Sequence, residues 1–107
     1  MIFRFEMKIK SKKQEQKDRL ILKSKKKLIE ESPRCRICGI REGTDLMHIL
    51  PKSTYPEYCT LEENHTLGCR ACHIFFDDNL DFRRKQKRLY EQVKKFDELA
   101  ANKYFRI

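Results

Sequence analysis

The chain has 107 residues, the length of one domain, and only 39% of them are hydrophobic. The chain has 25 Lys and Arg residues and 16 Asp and Glu residues, which gives a formal net charge of +9. The chain contains no apolar run that could span a bilayer and no signal-peptide segment, so we expect an intracellular, cytoplasmic protein without a membrane partner. A positive excess of this size favours a polyanionic partner, and nucleic acid is the first candidate.

The first third of the chain is predicted to be a basic, mostly helical extension over residues 1–33. Residues 1–10 alternate between apolar and polar side chains, which is compatible with a short strand. Residues 11–31 lack Gly and Pro and are rich in Lys, Glu, Gln and Leu, a composition typical of a helix. Pro33 disfavours helical geometry in the residue before it, so the helix is expected to end there.

Two CxxC pairs dominate the middle of the chain. They are separated by 30 residues and consist of Cys35, Cys38, Cys69 and Cys72. Thiols stay reduced inside a cell, and four thiolates in two such pairs suit tetrahedral zinc, so we predict one closed, structural zinc site. The alternative is a set of unpaired buried cysteines. A fifth cysteine, Cys59, is expected to be a partly buried loop thiol.

Short strands and helices are predicted around these pairs. Residues 44–50 and 64–68 are interpreted as two strands with a loop between them. A helix is expected from about Arg70 to about Asp78. Asp81 is then the candidate N-cap of one long final helix, whose apolar residues recur at helical spacing and whose other face is basic.

His73 and Asp77 stand four residues apart on the helix predicted after the second pair. Side chains at this spacing share a helix face, so an imidazole and a carboxylate can hold one ion together. Such a ligand pair with open positions suits catalytic Mg²⁺, Mn²⁺ or another divalent transition metal. The competing interpretation is that Asp77 only ends the helix and that His73 is a surface residue.

Three polar residues inside this strand–loop–strand–helix resemble the HNH endonuclease family. His48 lies in LMHILPKS, Asn64 lies in EENHTLGC, and His73 directly follows the last cysteine. The intervals of 16 and 9 residues are within the family's range. The resemblance covers about residues 34–79 and implies an α+β fold. Its small ββα-metal core, in a domain over residues 34–107, would be held by a four-cysteine zinc site and flanked by basic helices.

The resemblance also implies a role for each matching position. His48 corresponds to the general base that activates water, and Asn64 to the asparagine that orients it. His73 corresponds to a metal ligand on the helix. The implied activity is metal-dependent hydrolysis of DNA phosphodiester bonds, by nicking or double-strand cleavage, with zinc as structural ion and a second divalent ion for catalysis.

Met47 departs from the family pattern, which usually places Asp or His immediately before the base as a further ligand. A thioether is a poor ligand for hard ions. Asp77 is the expected replacement, and Asp45 is the weaker candidate because strand alternation places it on the face of Met47 and not on that of His48. For His65, a structural role and a contact with phosphate both stay open.

Basic side chains near the expected site are candidates for contacts with the phosphate backbone. They are Lys52, Arg70, Arg83, Arg84, Lys87 and Arg88. We therefore expect double-stranded DNA, bound with low sequence specificity, as the partner, or a further protein that supplies specificity. A solvated helical face is the competing interpretation of the basic stretches. Two other functions stay open: a zinc-containing nucleic-acid-binding module without catalysis, and a small zinc protein that binds another protein.

Overall fold

The structure is a computed structural model that describes residues 11–107, so the strand predicted over residues 1–10 lies outside the described residues. A two-stranded antiparallel sheet lies among helices, which confirms the expected α+β class. Helix α1 spans Lys12–Glu31, strand β1 spans Asp45–His48 and strand β2 spans His65–Gly68. Four further helices follow: α2 (Arg70–Asp78), α3 (Leu80–Arg84), α4 (Lys87–Lys94) and α5 (Glu98–Phe105).

Helix α1 begins at a serine cap and packs onto the sheet through its second half. The Ser11 hydroxyl accepts a hydrogen bond from the N–H of Gln14, which satisfies one of the free donors of the first turn. Further along, Ser24 is buried against β2. The Arg36 guanidinium, from the segment after the helix, donates to the Leu28 carbonyl at 2.6 Å. These contacts tie the carboxyl-terminal half of α1 to the rest of the described fold.

The sheet register directs one face of β1 into the core. Met47 pairs with Thr66 and His48 with His65. Met47 is fully buried, and a Cβ added at Gly68 would stand 2.3 Å from its sulfur, so the bare glycine makes room for it. The buried residues that form the main core are Met47, Ile49, Leu50, Phe76, Leu89, Val93, Ala100, Ala101 and Phe105.

The prediction of one long final helix after Asp81 is wrong, because the chain forms three short helices there. Asn79 caps the first of them and Asp97 caps the last, each through its side-chain oxygen. One straight helix over the same stretch would be about 40 Å long at 1.5 Å per residue. Leu89 and Phe105 would then lie too far apart to share one core. Because the chain folds back twice, Leu89 and Phe105 are both buried in one core. This burial outweighs the local preference for an unbroken helix.

Candidate metal centre and histidine site

Four cysteines come together where α2 begins. Among the described residues, they form the group of possible metal ligands whose ligating atoms all lie within 4.8 Å of one another. Four sulfurs around one zinc ion, each bonded at about 2.3 Å, would stand about 3.8 Å apart. A small contraction therefore closes the set of Cys35, Cys38, Cys69 and Cys72. The four-cysteine cluster can hold a metal ion such as zinc.

Backbone N–H groups point at the first sulfur of each pair. Cys35 Sγ accepts from the N–H groups of Ile37 and Cys38 at 3.4 and 3.5 Å. Cys69 Sγ accepts from the N–H of Cys72 at 3.4 Å, at the amino end of α2. Such donors stabilise a thiolate, which is the form that binds a metal. The two segments therefore form matching turns whose thiols can bind a metal.

The pKa values of Cys38, Cys69 and Cys72 are shifted in different directions. The backbone N–H groups of Arg41 and Ile40 lower the pKa of Cys38 to about 6. Burial raises the pKa of Cys72, and the neighbouring thiols raise it further. For Cys69, burial acts to raise the pKa, but hydrogen bonds from Cys72 outweigh it and the pKa falls. A bound cation would expel the remaining protons, because metal ligands must be deprotonated.

His48 lies half-buried at the end of β1 and bonds to the loop that follows. Its Nε2 is 2.9 Å from the carbonyl oxygen of Cys59. A carbonyl only accepts, so Nε2 carries the proton and Nδ1 of the neutral ring keeps its lone pair. Burial lowers the pKa of His48; the bond to Cys59 opposes this, while the charges of His65 and Lys52 add to it. The ring is therefore mostly neutral at pH 7, as a general base must be.

Asn64 is fully buried and braces the backbone that follows His48. Its side-chain oxygen accepts from the N–H of Leu50 at 2.8 Å. Its amide group donates to the carbonyls of Leu50 and Tyr58 at 3.1 and 3.2 Å. The backbone carbonyl of Asn64 also accepts from the N–H of Ile49. Asn64 thus acts on His48 through the chain that carries it.

His73 stands between two carboxylates. Its Nδ1 is 2.8 Å from Asp45 Oδ2, and its Nε2 is 3.3 Å from Asp77 Oδ2 one helical turn further on. The Nε of Arg70 lies 3.0 Å from the same Asp45 oxygen. Burial acts to raise the pKa of Asp45, but the hydrogen bonds from His73 and Thr44 and the charge of Arg70 outweigh it and the pKa falls. Asp45 is therefore a stable anion that orients the imidazole.

The contact between Asp45 and His73 is what the sequence pattern misses. Alternation places Asp45 on the face of Met47, and the register agrees. That face is the one on which α2 packs, so Asp45 meets the first turns of the helix. A carboxylate on one imidazole nitrogen fixes the tautomer and leaves the other nitrogen for a metal. The sequence does show a carboxylate at position 45, which could have suggested a partner for a histidine. Strand alternation alone does not reveal which helix covers that face of the strand.

His48 lies within electrostatic reach of the pair on α2. Burial raises the pKa of Asp77, while His73 and His48, in their protonated forms, oppose the rise. The charge of His73 likewise lowers the pKa of His48. The structure thus brings the predicted base and the predicted helix ligands into one region. In contrast to the cysteine cluster, this region presents two facing ligands, an arrangement that leaves most coordination positions open.

The candidate phosphate contacts fall into two groups. Four of them project into solvent: Lys52, Arg84, Lys87 and Arg88. Arg70 is also exposed but pairs with Asp45. The Arg83 guanidinium donates to the carbonyls of Phe76 and Asp77 at 3.0 and 2.7 Å and lies 4.0 Å over the ring of Tyr104. These contacts occupy the charged group of Arg83 within the fold.

The two sites are the features from which a function can be argued. A comparison with protein-family models, with curated proteins and with solved structures found no match for this chain. Within residues 11–107, no helix has both the length and the apolar character needed to cross a membrane. Function then follows from the chemistry of particular side chains and not from likeness of fold.

Proposed function

We propose that this chain is a metal-dependent endonuclease of the HNH type that hydrolyses DNA phosphodiester bonds. The observation that carries the proposal is a His48 whose Nε2 proton is held by the Cys59 carbonyl, with the His73–Asp77 pair within reach of its charge. Phosphodiester hydrolysis needs a base for the attacking water and positive charge against the phosphate. These residues have the chemistry for both.

Each residue has one task in this proposal. Nδ1 of His48 takes a proton from the attacking water, and Asn64 keeps the base in place through the backbone turn. His73 Nε2 and Asp77 are the ligands for a divalent ion such as Mg²⁺ or Mn²⁺, and Asp45 orients the imidazole. One imidazole and one carboxylate suit an open site, in which water and phosphate take the other positions. When bound, such an ion offsets the negative charge that develops on the phosphate and the leaving oxygen.

The charge distribution supports DNA as the partner. The net charge is +9, and Lys52 lies near enough to His48 for its charge to lower the pKa of the base. The exposed Arg84, Lys87 and Arg88 extend the basic surface along α3 and α4. Contacts of this kind neutralise phosphates without reading bases, so low sequence specificity is expected unless another protein supplies it.

A zinc-containing nucleic-acid-binding module without catalysis is the second candidate function, and the burial of Met47 favours it. The residue before the base offers no ligand, because its side chain is fully buried in the core. This function requires the cysteines and the basic side chains but has no use for His48.

Nicking of supercoiled plasmid separates the two functions. The zinc-loaded native protein is incubated with plasmid and Mg²⁺, Mn²⁺ or Ni²⁺, beside His48→Ala and an exposed control, Leu99→Ala, purified identically. We expect the native protein and Leu99→Ala to form open circles, and His48→Ala to be slower by about 100-fold or more. If none of them cuts although all retain zinc and shift DNA on a gel, the binding module is the function. Equal cutting by His48→Ala would remove His48 as the base.

A further inference from the structure

Two histidines share one backbone carbonyl beside the candidate site. The Cys59 oxygen is 2.9 Å from Nε2 of His48 and 2.8 Å from Nε2 of His65. The two rings meet edge to face, with centroids 5.0 Å apart and planes at 87°. A carbonyl oxygen has two lone pairs, so these two donors saturate it. Both rings therefore carry a proton on Nε2.

His65 is held on its other side by the first helix. Its Nδ1 lies 2.7 Å from the hydroxyl oxygen of Ser24 on α1. Since Nε2 carries the proton of a neutral ring, Nδ1 accepts and the Ser24 hydroxyl donates. His65 is 2% exposed and Ser24 is 3% exposed, so a contact of His65 with phosphate is excluded in this fold. A buried network in which every polar atom has a partner specifies one arrangement.

We infer that His65 is a positioning residue for His48, and that α1 takes part in the candidate site through Ser24. The inference rests on the proposed function, in which His48 is the base. His65 holds the Cys59 carbonyl, and this carbonyl keeps the His48 proton on Nε2 and the lone pair on Nδ1. If the carbonyl turned away, the opposite tautomer would place a proton on the atom that has to accept one.

Three variants separate hydrogen bonding from packing in this network. His65→Gln keeps an N–H donor near the position of Nε2, whereas His65→Leu keeps bulk and removes the donor. Ser24→Ala removes only the outer partner. In each zinc-loaded protein, the tautomer of His48 is measured by ¹⁵N NMR of its ring nitrogens at about pH 7.5, where the neutral ring dominates. Plasmid nicking is measured in parallel.

We expect the native protein and His65→Gln to hold His48 in the Nε2–H tautomer. His65→Leu should give a mixture of tautomers and slow nicking by about 10- to 100-fold, the usual cost of losing an orienting partner, with the KM for plasmid unchanged. Ser24→Ala should give a smaller change in the same direction. Rescue by Gln but not by Leu is an outcome that a purely structural role of His65 would not produce.

Two results would overturn the inference. One is a native His48 that carries its proton on Nδ1. The other is a His65→Leu protein that retains zinc, a single tautomer and the full nicking rate. If His65→Leu does not fold, the comparison passes to His65→Gln and Ser24→Ala, and a native tautomer in Ser24→Ala overturns the inference. Tautomers that change as expected without any nicking would support the network and refute the nuclease.

Discussion

Helix α2 carries ligands of both candidate sites, and the two sites are built in opposite ways. Cys69 and Cys72 belong to a closed set of four thiols drawn from two segments. His73 and Asp77 form an open pair with one carboxylate behind it. A closed set leaves no position for a substrate, whereas an open pair leaves several. Neighbouring residues on one helix can therefore serve stability and chemistry separately, because they point about 100° apart around the axis.

The same helix is held at both ends. The cysteine cluster secures its first turn, and the Arg83 guanidinium secures its last turn through the carbonyls of Phe76 and Asp77. His73 and Asp77 thus project from a segment that has little freedom to move. Preorganised ligands of this kind are what an open metal site needs, since few contacts of its own define its geometry.

Removing the metal from the four-cysteine cluster, or removing one of its ligands, should have the largest effect on stability. Structural zinc in small domains contributes an apparent binding free energy of about 10–16 kcal/mol, more than the stability of most domains. Chelation or Cys72→Ser should therefore abolish cooperative thermal unfolding followed by circular dichroism, and zinc should restore it after chelation. Cys59→Ala is the matched control, because Cys59 lies outside the cluster and the variant should keep its zinc. Unchanged melting after chelation would contradict a structural metal.

Removing the Asn64 side chain, which holds the backbone after His48, should have the next largest effect on stability. Asn64→Ala leaves the N–H of Leu50 and two carbonyls without their partner, and each buried unsatisfied group costs about 1–3 kcal/mol. We expect the free energy of unfolding in urea to fall by about 3 kcal/mol. Asn79→Ala, which removes an exposed helix cap, should cost about 1 kcal/mol. Equal losses in the two variants would show that Asn64 does not brace this region.

Adjacent arginines should behave differently. Arg83→Met keeps the stem but removes hydrogen bonds to three carbonyls, including that of Tyr104, and should lower stability by about 2 kcal/mol. Arg84→Met should change stability by less than about 0.5 kcal/mol. It should instead weaken DNA binding and reduce the salt-dependence slope of log K by about 0.9. Urea unfolding and DNA binding at several salt concentrations test both. If Arg83→Met instead weakened DNA binding without loss of stability, Arg83 would be a phosphate contact.

The smallest effect should appear as a pH dependence. Burial lowers the pKa of His48 and of His65, so the unfolded chain takes up protons below about pH 6.5 that the folded protein refuses. The stability from these groups is therefore present above that pH and is lost as the pH falls. Each histidine adds at most about 1.4 kcal/mol per pH unit. With excess zinc, His65→Gln should show a shallower fall than the native protein, and equal slopes would contradict a neutral buried His65.

Local signals were enough to predict several features from the sequence. Helix α2 begins at Arg70 and ends at Asp78 as expected, because a cysteine caps its first turn. Helix α1 ends before Pro33, and the two antiparallel strands lie within the predicted segments. The cysteine set follows from the spacing of its two pairs. Each of these depends on residues close together in sequence, so patterns and caps carry the information.

Only the tertiary structure decided which distant side chains meet. Asp45 and His73 are 28 residues apart, and Ser24 and His65 are 41 apart. Their contacts depend on which helix covers which sheet face, and no local pattern encodes that choice. The same reason explains the three short helices after Asn79, where burial of distant apolar residues in one core outweighs helix propensity. By itself the sequence determined the candidate ligands; packing decided which of them orient one another.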